Sequence, residues 1–172
     1  MDESIKIALK DKKNGIDLNP LITIMEDSGI EFKNCKLNGP FGMATHLHVY
    51  LDLNKIIESF NPSMIWYIVL HEIGHYRRIQ KMGKDKMLEM FSLDDFEAFY
   101  WHVITEEIFA DRYASFIYYK NNKKEFPRNA TQQLHLKGNQ IKYKGSIEPL
   151  FGVVKNNEKN YIELVESYII KD

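Results

Sequence analysis

The sequence predicts an α+β fold in a single domain over residues 1–172. Three observations carry that expectation. Leu47 to Leu53 alternates apolar and polar residues strictly, the mark of a half-buried strand. Two stretches, Ile65 to Ile73 and Phe96 to Ile117, place apolar residues at helical spacing instead. No repeat, low-complexity tract or Pro/Ser-rich linker divides the chain, and its length suits one domain with a sizeable core.

The elements follow in order. Ser4 to Leu9, and Leu21 to Glu26 after Pro20, read as short helices. Glu31 to Leu37, a Gly/Pro turn over Asn38 to Gly42, and Met43 to Leu53 then read as a β-hairpin. Its second strand places Leu47, Val49, Leu51 and Leu53 on one face and His46, His48, Tyr50 and Asp52 on the other. The first face is expected to be buried, the second polar and accessible. Asn61-Pro62 is a helix start, with Asn as the cap and Pro at the first position, where the missing N–H costs nothing. Ile65, Trp66, Val69, Leu70 and Ile73 make this a buried helix, which Met82-Gly83-Lys84 ends. Ser92-Leu93-Asp94-Asp95 resembles a second cap, with Ser92 capping and a carboxylate three residues on. The helix that follows runs towards Lys120 and closes at Asn121 to Lys124. Further on, Gln140 to Lys144 reads as a strand and Asn160 to Ile170 as an amphipathic helix.

Composition excludes several classes. Lys and Arg number 23 against 24 Asp and Glu, a net charge of −1, so no general attraction to nucleic acid or anionic membrane surfaces is expected. At 44% hydrophobic and 27% charged residues the chain is too apolar for a disordered protein. Its longest apolar run, Met64 to Leu70, is far short of the roughly 20 residues a bilayer span requires. The opening Met1-Asp2-Glu3-Ser4 lacks the basic start and apolar segment of a secretory signal, so a cytoplasmic protein is expected. Cys35 is the single cysteine, which excludes an internal disulfide and a cysteine-rich zinc site; it reads as a small buried hydrophobe. Nothing in the sequence indicates an oligomeric state.

The chemistry is concentrated in His71-Glu72-Ile73-Gly74-His75. Imidazoles four residues apart on a helix leave nearly the same face, so both can reach one metal ion. Two such ligands leave positions for a third protein ligand and a water, and Glu72 stands beside them as a base for that water. Glu107-Ile108-Phe109-Ala110-Asp111 supplies two carboxylates at i and i+4 on the second long helix. Glu107 would complete a His71/His75/Glu107 tripod, and Asp111 would accept the free N–H of a ligating imidazole, fixing its tautomer. Glu106 competes for the ligand role, but Ala110 at its i+4 position gives it no such partner. Gly74 and Ala110 are small enough to let the two helices approach closely.

The His71–His75 motif followed by Glu107 to Ala114 resembles the gluzincin metallopeptidases. The downstream Glu-x-x-Ala-Asp-x-aromatic-Ala is similar to both the ImmA/IrrE family and the HtpX-like family. HtpX-like enzymes are membrane proteins, and the small, soluble ImmA/IrrE type is the better fit. The resemblance covers Leu47 to Ala114. It implies a compact zincin-like domain, with a small twisted sheet, an edge strand beside the active-site helix and a second helix carrying a ligand. It also implies a Zn2+ site with His71, His75 and Glu107 as ligands and Glu72 as catalytic base, hydrolysing peptide bonds in a protein or peptide substrate.

In such folds the strand before the metal helix edges the cleft. The face bearing His46, His48 and Tyr50 is therefore an expected substrate-lining surface, on which an extended peptide would add as a strand. His46-x-His48 as a separate metal site finds no third ligand near it in sequence. His135, Tyr143 and Tyr161 are each able to donate to a tetrahedral oxyanion, and spacing does not choose among them. The rival reading is a non-catalytic zincin-like binding or regulatory protein that keeps the metal site. A metal-dependent hydrolase of some other bond is a third.

Overall fold

Apolar faces and caps decide where each element begins and what it covers. The computed structural model describes residues 3–10, 17–83, 89, 93–124 and 167–170. Helix α1 (Glu3–Lys10) buries Ile5 and Leu9, and α2 (Asn19–Asp27) buries Leu21, Ile22 and Met25, with Pro20 in its first turn. Three strands follow, β1 (Glu31–Asn34), β2 (Gly42–Ala44) and β3 (His48–Leu51). They form a mixed sheet in the order β1-β3-β2, with β1 parallel and β2 antiparallel to β3. The fold is α+β, as expected.

The hairpin differs from the sequence expectation. Glu31 to Leu37 does not pair antiparallel with Met43 to Leu53; the latter stretch itself folds back to make β2 and β3. Thr45 is the cause. Its hydroxyl accepts from the N–H groups of Leu47 (3.1 Å) and His48 (2.9 Å), and its own N–H donates to the His48 carbonyl at 2.8 Å. These bonds close a tight turn that interrupts the alternation. Leu47 falls at its tip and is exposed rather than buried. Val49 and Leu51 are buried as expected. Asp52, expected on the accessible face, is buried too. It caps α3 (Leu53–Ser59) by accepting from the Lys55 N–H at 3.1 Å, and its other oxygen accepts from the Leu37 N–H at 3.0 Å. Leu53 is buried as the first residue of that helix, not as strand.

Two long helices complete the described structure. In α4 (Pro62–Met82) the Asn61 side chain accepts from the Met64 N–H at 3.1 Å, Pro62 opens the first turn, and Gly83 ends the helix. In α5 (Phe96–Asn122) the cap is Asp95, which accepts from the Ala98 N–H at 2.9 Å. The expected cap, Ser92, lies outside the described residues and before the helix start. Either residue type satisfies the exposed N–H groups, and Asp95 stands in the extended conformation next to the first turn. Lys123, in the left-handed region, closes α5.

One core cluster runs from Ile5 in α1 through Val49 and Leu51 in β3 to Ile65, Trp66, Val69, Leu70 and Ile73 in α4, ending at Ala114 and Tyr118 in α5. Trp66 meets Tyr118 edge-on at 5.7 Å, anchoring α4 on α5. The small-residue contact expected between these helices is present. A Cβ added to Gly74 would stand 2.8 Å from the Ala110 Cα and 3.1 Å from its carbonyl oxygen. Far along the chain, Ile169 bridges Leu37 beside the sheet. The expected strand over Gln140 to Lys144, most of the final helix, and His135, Tyr143 and Tyr161 lie outside the described residues. Among those described, no helix is long and apolar enough to cross a membrane.

Candidate metal centre

The closeness of α4 and α5 at Gly74 and Ala110 brings the donors together. His71 and His75 lie one turn apart on α4, and their Nε2 atoms are 3.0 Å apart. Glu107 of α5 offers one carboxylate oxygen to each: Oε2 is 3.3 Å from His71 Nε2 and Oε1 is 3.3 Å from His75 Nε2. Four ligands held tetrahedrally at 2.0–2.1 Å from zinc would be about 3.3 Å from one another. The separations are close to that length, with Glu107 straddling the two rings through its two oxygens, so the three side chains form a compact cluster able to hold a metal ion. The residues present therefore fit a divalent cation, in the arrangement expected from the spacing.

Protonation supports the same fit. His71 Nδ1 faces Asp111 Oδ1 at 2.9 Å, and a carboxylate oxygen accepts, so Nδ1 carries a proton and Nε2 is the nitrogen turned to the cluster. Burial opposes charge on His71, but hydrogen bonds to Asp111 and Glu107 outweigh it and push its pKa up to about 10. Burial likewise opposes ionisation of Glu107, yet bonds to His71 and His75 hold its carboxyl well below the usual carboxylate range. The carboxylates of Asp111 and Glu107 thus favour positive charge at His71 and beside it.

Asp111 is buried behind His71, the place expected of it. Glu106, the rival to Glu107, is turned to the Arg78 guanidinium at 3.2 Å, and Arg78 lies over the Phe109 ring at 5.1 Å. Glu72 is beside His71 on α4 but only 8% exposed, because β2 passes directly over it. A Cβ on Gly42 would lie 2.7 Å from the Glu72 Cγ and 3.1 Å from its Oε1. Burial raises the Glu72 pKa, His71 and His75 lower it, and Glu107 raises it again.

The expected substrate-lining residues are placed differently. His48 and Tyr50 lie on β3, which is the central strand, with β1 on one edge and β2 on the other. A peptide cannot add to β3, because both rows of its backbone groups are already taken. The edge strand beside α4 is β2. His48 pairs with Glu31 on β1 at 3.1 Å and stands edge-on to Tyr50 at 5.8 Å, while the His46 carbonyl accepts from Gln80 Nε2 of α4 at 2.8 Å. Cys35 is half-buried, and burial together with the nearby Asp52 pushes its thiol pKa up, in keeping with an unreactive side chain.

Two residues of the site escaped the sequence reading. Tyr67 donates its hydroxyl to Asp111 Oδ1. Burial, with Asp111 adding to it, pushes the phenol pKa far up, so it stays a donor. Its position four residues before His71 puts it on the ligand face, a signal hidden because Tyr67 sits within the apolar run. Gly42 carries no local signal at all, since only the tertiary fold brings it to Glu72. Comparison with family models, with curated proteins and with solved structures finds no match to this chain.

Proposed function

We propose that this protein is a zinc-dependent endopeptidase, of the gluzincin class and closest in pattern to the ImmA/IrrE family. The observation that carries the reading is the convergence of His71, His75 and Glu107 in one compact cluster able to hold a metal ion, with Glu72 adjacent. Zinc held there supplies Lewis acidity towards a carbonyl oxygen and towards water. Glu72 takes a proton from the attacking water at its carboxylate and returns it to the leaving amine. Its burial favours the protonated form between these two transfers. Asp111 holds the His71 proton on Nδ1, keeping Nε2 free to coordinate. Among the described residues β2 is the edge strand beside α4, and an extended polypeptide substrate would align along it. Nucleic acid is not an expected partner, given the net charge of −1.

One observation favours a second reading, a non-catalytic binding or regulatory protein that retains the metal: Glu72 is tightly covered by Gly42. A single experiment separates the two. Zinc content and peptide cleavage are measured for wild type and Glu72→Gln. We expect one zinc per chain in both, with cleavage reduced about 10²–10⁴-fold in the variant. Cleavage that survives in Glu72→Gln removes the role given to that residue. Zinc-loaded wild type that cleaves nothing in broad peptide libraries overturns the endopeptidase reading and favours the second.

A further inference from the structure

Behind the three donors lies a contact that the proposed chemistry does not use. Tyr67 precedes His71 by one helical turn, so both side chains leave α4 on the same face. The Tyr67 ring packs 5.5 Å from the His71 imidazole, tilted by 39°. Its hydroxyl donates to Asp111 Oδ1, the same oxygen that accepts from His71 Nδ1 at 2.9 Å. Asp111 is only 2% exposed, so water has little access to compete for that oxygen.

A carboxylate held by one hydrogen bond can still rotate about its terminal torsion, where the rotamer wells are broad. Two donors from successive turns of α4, meeting on one oxygen from α5, remove that freedom. The imidazole facing it then has its ring plane fixed, and its Nε2 stays aimed at the partners on the other side, His75 and Glu107. Outer partners of this kind set the basicity and orientation of a ligating histidine.

We propose that Tyr67 is a positioning residue, acting through Asp111 to hold His71 in its coordinating orientation and thereby setting the affinity and release rate of the bound cation. The inference rests on the metal reading above, but not on what the protein hydrolyses. The alternative is a Tyr67 hydroxyl that merely ties α4 to α5, and the two roles separate in a metal-binding cycle.

Zinc affinity and release are measured by competition with a chromogenic chelator for wild type, Tyr67→Phe, Asp111→Ala and the double variant. Tyr67→Phe should lower affinity on the order of 3- to 10-fold, below the roughly 10–100-fold typical when a direct outer partner is lost, and should speed release. In the Asp111→Ala background the same change should cause no further loss. Tyr67→Phe that binds zinc as wild type does overturns the proposal, as does an equal loss in both backgrounds. Should Asp111→Ala not fold, the visible absorption of Co2+ bound to Tyr67→Phe decides. Altered bands support the positioning role, and bands identical to wild type overturn it. Wild type that takes up no zinc overturns the metal assignment and this inference together. Zinc-loaded wild type matched by Tyr67→Phe overturns this inference alone.

Discussion

Two histidine–carboxylate pairs of nearly the same length occupy different parts of the molecule. On the sheet, His48 Nε2 lies 3.1 Å from Glu31 of the neighbouring strand; between the long helices, His71 Nδ1 lies 2.9 Å from Asp111. The Glu31 side chain is 65% exposed and that of Asp111 only 2%. Water can replace His48 at Glu31 at little cost, whereas Asp111 depends on His71 and Tyr67. His48 shares its carboxylate with Lys33, whose ammonium lies 3.9 Å from Glu31, while His71 presents its second nitrogen to His75 and Glu107. Pair distance therefore says little about function. Burial of the acceptor and convergence on the far side of the ring mark the site.

Three substitutions test that contrast. Asp111→Ala should have the largest effect, because it orphans two donors, the Tyr67 hydroxyl and His71 Nδ1, in a buried place. We expect a loss of about 3 kcal/mol in the metal-free protein, from two unsatisfied groups. Thermal unfolding should then fall by about 6–12 °C for a chain of this size. A melt unchanged from wild type would show that Asp111 is solvated after all. Gly74→Ala comes next. Its new methyl meets Ala110 backbone at 2.8 Å, so α5 must move away, and overpacking of this kind costs about 1–3 kcal/mol. Zinc affinity should weaken in parallel as Glu107 withdraws from the imidazoles; stability lost with affinity intact would uncouple helix spacing from the donors. Glu31→Ala should do least, under about 1 kcal/mol as for other exposed pairs, with zinc uptake unchanged. A drop in zinc binding there would erase the distinction between the two regions.

Much of the candidate site was visible in the sequence because it is written in helical geometry. The four-residue spacing of His71 and His75, the matching spacing of Glu107 and Asp111, and the small residues Gly74 and Ala110 are all local facts. The structure only had to set two cylinders side by side. Choosing Glu107 over Glu106 also followed from its i+4 partner, and Arg78 takes up the carboxylate that was passed over. The sheet was less open to such reading. Alternation marks a strand but does not name its neighbour, so the parallel pairing of β1 with β3 was not accessible. Thr45 broke the run through side-chain bonds to its own turn, which a two-residue period does not register. Asp52 occupied a polar slot in the pattern and was nevertheless buried, because helix capping outweighed exposure. At the start of α5, several polar residues in succession were each competent to cap, and local sequence did not rank them. Tyr67 was masked by its apolar neighbours.

The close passage of β2 over Glu72 has a consequence for how substitutions at residue 42 would be tolerated. Gly42 offers no functional group, yet any side chain there, even a methyl, would press on the carboxylate that sits beneath it. Mutational tolerance at this position should resemble that of a ligand, although its chemistry is nil. A silent hydrogen atom, in effect, keeps the roof of the pocket low enough to shelter the acid and high enough to spare it.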